Sequence, residues 1–158
     1  MAIHKIQIND FISIDYELIA IHSSLEDYRL AYFINKALQI QLSKSNSNIE
    51  IETKEGKSEF SHFIFDDEVN DIIWNVFENK ATAIPSEKTT NGIFDSVDVT
   101  MYVVPEFKKA DYILKIENME TVIFPLERII QKLSKISQIS MVYRIDQNKL
   151  KSKNNLIF

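Results

Sequence analysis

Between Ile14 and His22 the positions Tyr16, Leu18, Ile19, Ala20 and Ile21 are apolar on both parities, leaving no polar face for solvent. A strand that reads this way is covered on both sides, so the segment predicts a central strand. Ser23-Ser24-Leu25-Glu26 follows with capping-box spacing, the Ser23 hydroxyl serving a backbone N–H while Glu26 reaches back. Leu30, Phe33, Ile34, Ala37 and Leu38 then recur at helical spacing and predict an amphipathic helix from Leu25 to Leu38, laid on the sheet.

The period next shortens to two. Ile40 and Leu42 alternate with polar residues, Asn46-Ser47-Asn48 supplies a turn, and Ile49 and Ile51 alternate with Glu50 and Glu52, which predicts a hairpin with one wet face. Lys54-Glu55-Gly56-Lys57 makes the next turn, with Gly56 free to take positive φ. Ser58 to Phe65 and Ile72 to Phe77 read as strands about the acidic loop Asp66 to Asp71, and the breaker-rich stretch Asn79 to Ser96 as the longest loop. Val97 to Val104 and Ala110 to Ile116 are two further strands. Val122, Leu126, Ile129, Ile130, Leu133 and Ile136 predict a second helix with Pro125 in its first turn, and Ile139 to Ile145 a last strand.

The order strand, helix, run of strands, helix, strand predicts a single α+β domain over residues 1–158. Its expected core is a mostly antiparallel mixed sheet of seven or eight strands with two helices packed on it. Met1 to Ser13, where Ile3, Ile6 and Ile8 suggest an edge strand, and the tail 147–158 are expected to be the less ordered ends. Two helices on one face would leave Phe63, Phe65, Ile73, Phe77 and Tyr102 among the candidates for an exposed apolar face, available to a homodimer. A strongly twisted sheet that closes its own core is the alternative.

Composition narrows the classes. At 158 residues with 45% hydrophobic and 11% aromatic content, the chain can bury a sizeable core. It has no cysteine, which excludes disulfides and thiolate chemistry and points to a reducing, cytoplasmic setting. Met1 to Asp10 alternates apolar and polar residues, which argues against a secretory signal. No apolar run approaches the roughly 20 residues of a membrane helix, so no membrane partner is expected. A formal charge of −5 disfavours nucleic acid and anionic membranes. Lys149, Lys151 and Lys153 form a basic tail, read first as a solvated terminus.

Pro105 has no N–H for a ladder and holds Val104 extended, so it ends one strand, and the next resumes near Ala110. The joining stretch, Val104-Pro105-Glu106-Phe107-Lys108-Lys109-Ala110-Asp111-Tyr112, resembles the Ile-Pro-Glu-x-x-x-Val-Asp-Tyr signature of the bacterial IPExxxVDY family. Pro105, Glu106, Asp111 and Tyr112 match, while Val104 and Ala110 replace Ile and Val. Asp27-Tyr28-Arg29-Leu30 and Lys151-Ser152-Lys153-Asn154-Asn155-Leu156 are also similar to that family, so the resemblance spans most of the chain. It implies no activity, cofactor or catalytic residue.

Glu106 and Asp111 flank a turn, where two carboxylates can act as acid and base or hold a cation. With no histidine or nucleophile beside them, the weightier reading is structural. In that reading they accept backbone N–H bonds or pair with an arginine while Tyr112 packs inward. Arg29, one of three arginines, is the expected ion-pair partner of Asp111 or Glu106. His22 sits at a strand-to-helix junction without glycine and beside Glu26 and Asp27, which disfavours phosphate; a hydrogen-bonded structural histidine is expected. His4 and His62 lack the spacing of zinc ligands, and Asp66-Asp67-Glu68 with Asp71 lacks the order of a calcium loop. No nucleophile-elbow, P-loop or dinucleotide motif occurs, and no cofactor or small-molecule ligand is indicated.

The expected function is that of a non-catalytic cytoplasmic interaction or accessory domain, as a homodimer or bound to another protein. Its expected signature residues are Arg29, Pro105, Glu106, Asp111 and Tyr112. The alternatives are an RNA-associated factor using the basic tail and Arg144, and an enzyme using Glu106 and Asp111.

Overall fold

The computed structural model describes residues 15–84, 98–119 and 125–158. Among these the strands are β1 (Tyr16–Ser23), β2 (Ser43–Lys44), β3 (Ile49–Thr53), β4 (Gly56–Phe60), β5 (His62–Asp67), β6 (Ile72–Glu78), β7 (Lys80–Thr82), β8 (Thr100–Tyr102), β9 (Tyr112–Glu117) and β10 (Ile139–Arg144), and the helices are α1 (Asp27–Leu38) and α2 (Leu126–Ser134). The fold is α+β. Its main sheet has six strands in the order β10-β1-β9-β6-β5-β2, every pairing antiparallel, and β3-β4 and β7-β8 form two small sheets. The edge strand expected before Ser13, His4, Val122 and residues 85–96 of the long loop lie outside the described residues.

β1 lies inside the sheet because both of its faces are apolar: Leu18, Ile19, Ala20 and Ile21 are all fully buried. Burying each of the three larger side chains stabilises the fold by about 2 kcal/mol. Ile19 and Ile21 face one way with Trp74, Val76, Leu114 and Ile116, beneath α1 and α2. Leu18 and Ala20 face the other way with Phe77 and Ile113.

That second face is not left open. Ile49 and Phe60 of the β3-β4 hairpin, Met101 and Val103, and Leu150 and Leu156 of the tail pack over it. Phe77 is buried and Ile73 and Tyr102 are half-buried, so the chain's own loops cover this face, while Phe63 and Phe65, expected with them, lie on the helix side of the sheet. The tail forms two 3-10 turns, Gln147–Lys149 and Lys153–Leu156.

Three local predictions are replaced. The run from Ser58 to Phe65 breaks at Ser61, and its halves enter different sheets: β4 pairs with β3, β5 with β6. The segment after α1 does not pair with β3. Asn35 accepts from the Leu42 N–H (2.8 Å) and donates to the Leu42 carbonyl (3.0 Å), folding the chain back so that β2 extends β5. Ser23 does not cap α1, because it ends β1; its hydroxyl accepts from the Leu25 N–H and donates to the Gln138 carbonyl, and Glu26 is the N-cap without a side-chain bond. Gly56 takes φ +148°, and a Cβ there would stand 2.4 Å from the Ile84 carbonyl oxygen, across the bridge between Lys57 and Ile84. No helix among the described residues is long and apolar enough to cross a membrane.

Candidate functional site

The signature loop works as a latch. After Val104 the chain turns through a short 3-10 segment, Pro105–Phe107, in which Pro105 occupies an early position that needs no N–H. Glu106 reaches across to the tail and accepts from the backbone N–H groups of Lys151 (2.5 Å) and Ser152 (2.9 Å) and from the Ser152 hydroxyl (2.7 Å). Burial opposes its charge, but the Ser152 hydroxyl and these N–H groups more than offset that, holding the carboxyl below the usual range.

Asp111 works on the opposite side. Beyond the last β1-β9 pair, Ile21 with Tyr112, the Ser23 N–H donates to Asp111 Oδ2 at 2.9 Å, while Lys80 pairs with Oδ1 at 2.7 Å. Lys80, not Arg29, is the cation that answers Asp111; Arg29 is exposed on α1. Tyr112 is buried and donates its hydroxyl to the Leu25 carbonyl at 2.6 Å, which joins the strand to the entry of α1. Burial first, then the surrounding carboxylates, pushes its ionisation upward, so the phenol stays a donor.

Asn79 binds the loop from beneath. Fully buried, it accepts from the Val104 N–H (2.8 Å) and donates to the carbonyls of Phe107 (2.9 Å) and Ala110 (3.1 Å). Asparagine at a strand end reads as a turn former, and its partners lie far along the chain, so nothing nearby in the sequence marks this role.

A second lock holds the tail. Lys115, buried in β9, pairs with Glu117 at 2.6 Å and donates to the Leu156 carbonyl at 2.9 Å, beneath the Phe158 ring. Glu117 also accepts from Asn75, whose amide oxygen meets His62 Nε2 at 2.9 Å. The signal was legible: Lys115 is the one cation in the apolar run Tyr112 to Ile116. His22 bonds the Tyr143 hydroxyl at 3.2 Å, and Arg144 grips Glu17 through two nitrogens at 3.0 and 2.8 Å. Lys149 lies 4.0 Å from Asp146, Lys151 lies between the two turns of the tail, and Lys153 opens the second. Asp67 of the acidic loop is engaged by Asn70, and no metal-holding cluster of His, Asp or Glu occurs among the described residues.

The helix layer is different. The end of α1 meets the first half of α2, and the middle of α1 meets the end of α2, so the two run antiparallel with a groove between them. A cleft of about 340 Å³ opens at one end, lined by Leu38, Ile40, Trp74, Ile129, Arg128 and Lys132 among others. A shallower one of about 410 Å³ continues past Lys132 to Phe33, Ala37, Lys36, Lys135 and Ile136. Neither Glu106 nor Asp111 lines these clefts. Arg128, Lys132 and Lys135 recur at i, i+4 and i+7, a single stripe of α2, and Lys36 answers from α1. All four are exposed and, among the described residues, none has a carboxylate within salt-bridge distance. Tyr28 and Tyr32, 59% and 62% exposed, stand farther out on α1. The stripe of cations was readable from spacing; that it faces another helix was not.

No family model matches the chain, and neither a curated protein nor a solved structure matches it.

Proposed function

We propose that this chain is a non-catalytic cytoplasmic accessory domain of the IPExxxVDY type that docks another protein on the outer face of its helix layer. The observation that carries this reading is the contrast between four cations along an apolar groove, none with a carboxylate partner among the described residues, and signature carboxylates held by internal bonds. Interfaces are built from apolar and aromatic anchors rimmed by charge, and Phe33, Ile40, Tyr28 and Tyr32 supply those anchors here. A two-fold homodimer through this face would set the same cations against one another, which favours an unlike partner. The enzyme reading has Glu106 and Asp111 on internal N–H groups and Lys80, away from the clefts described above.

The test is site-specific photocrosslinking from position Tyr32 in native extract, with and without nuclease, in the parent chain, in Arg128→Glu/Lys132→Glu and in Glu106→Gln. The expected result is one near-stoichiometric protein that survives nuclease, is lost in the groove variant and persists in Glu106→Gln. Loss only in Glu106→Gln would return the function to the signature loop, loss with nuclease would favour the RNA reading, and no crosslink in any arm would reject the proposal.

A further inference from the structure

Resting on the interaction-domain reading, we infer that the groove between α1 and α2 receives an acidic segment of the partner, with one apolar side chain seated in the cleft lined by Trp74. Charge complementarity sets the class. A chain of net charge −5 repels acidic segments over most of its surface, so a groove bearing Lys36, Arg128, Lys132 and Lys135 is where such a segment is drawn. From Arg128 to Lys135 the stripe rises about 10 Å along α2. That length matches about three extended residues.

The apolar lining selects within the acidic class. Leu38, Ile40, Pro125 and Ile129 surround the cleft at the β5-β6 end, where they can enclose one large side chain. Trp74, on the floor, is 3% exposed, and its indole N–H has no acceptor among the described residues. Among the described residues, the floor residue therefore carries an unused donor. Asp67 also lines this end, with its carboxylate engaged by Asn70. It repels acids from the mouth beside it, so the apolar anchor lies at the Trp74 end and the acidic residues run toward Lys135. A sugar-phosphate backbone would use the cations but leave the apolar cleft empty.

A library of random 12-residue peptides displayed on phage and panned on the intact chain tests this directly, because it presumes no sequence. Selected peptides are expected to be enriched in Asp and Glu around one large apolar residue. A synthetic copy should shift the emission of Trp74, the only tryptophan in the chain. Its affinity should fall at least tenfold in Arg128→Glu/Lys132→Glu, with the melting temperature of that variant unchanged. Neutral or basic winners, acidic winners that bind the variant equally well, no enrichment, or tighter binding of a 12-nucleotide single-stranded RNA at the same groove would each overturn the inference. If the Tyr32 crosslink captures its protein while panning returns neutral peptides, only the acidic class falls; if both fail, the interaction-domain reading falls with it.

Discussion

The two faces of the six-stranded sheet are covered by different means, and the difference separates what holds the fold from what is free to act. On one face the cover is made of hairpins, the signature loop and the tail, and bonds between distant segments tie much of it together, although the buried Ser58 hydroxyl of β4 has no partner among the described residues. Glu106 takes three donors from the tail, Asn79 knits the loop, and Lys115 holds the Leu156 carbonyl. On the other, two antiparallel helices bury an apolar core and, among the described residues, leave four cations without a carboxylate partner and an indole N–H without an acceptor. Irregular segments need such saturation, because backbone groups taken from water must find partners, whereas a helix satisfies its own backbone and leaves its side chains uncommitted. The contrast is thus in how each cover is held, by bonds between distant irregular segments on one face and by the packing of two helices on the other.

Four substitutions can break or sharpen that contrast. Asn79→Ala should have the largest effect, about 3–5 kcal/mol, since it strands buried carbonyls and an N–H at once. A loss below about 1 kcal/mol in urea unfolding would show that the loop is not held from beneath. Gly56→Ala should follow at about 2–3 kcal/mol, because its positive φ is strained for alanine and the new Cβ meets the Ile84 carbonyl. Thermal unfolding reads this, and an unshifted midpoint would mean that the hairpin does not close on Ile84.

Glu106→Ala should cost about 1 kcal/mol at neutral pH, a small loss because the carboxylate is partly solvated. Its carboxyl is depressed below the ordinary 4.5, so its contribution is present above that pH and disappears as pH falls through the folded value. The variant and parent should therefore converge in acid, and an equal gap at pH 7 and pH 3 would contradict the assignment. His62 acts at milder pH. Burial, then the Lys115 and Lys44 cations, holds it below 6.5, so its destabilising term is absent above that pH and grows as pH falls. The smallest effect belongs to the helix face: Arg128→Glu/Lys132→Glu should leave stability within about 0.5 kcal/mol. A larger loss would mean that these cations serve the fold after all.

Much of the architecture was legible where one period held over a whole element. β1, α1, β6, β9, α2 and β10 were all found from apolar spacing, since each buries a regular stripe or face. The break at Ser61 was not, because no glycine or proline marks it; only the three-residue step from Phe60 to Phe63 shifts the apolar parity where the chain changes sheets. Nor was the cover of the second face, which depends on tail turns too short to show a period. Around the signature, the residues that matter were named, but Arg29 was chosen for Asp111 by charge alone, and the sheet instead brings Lys80 beside it. Lys115 stood out as a cation in an apolar run, but its Leu156 partner, like the role of Asn79 and the facing of the two helices, required knowing which distant segments are neighbours.

The place of β1 also shapes the history of each molecule as it is made. Ile19 faces Leu114 on one side and Arg144 on the other, so a strand with four consecutive fully buried residues waits for partners translated long after it. Meanwhile the β3-β4 and β5-β6 hairpins, whose halves are close in sequence, can form early. Until β9 and β10 emerge, Leu18 to Ile21 remains an uncovered adhesive run on the nascent chain. Pulse-labelled hydrogen exchange during refolding should accordingly protect β5 and β6 before β1, and a simultaneous rise would place assembly of the whole sheet in one step.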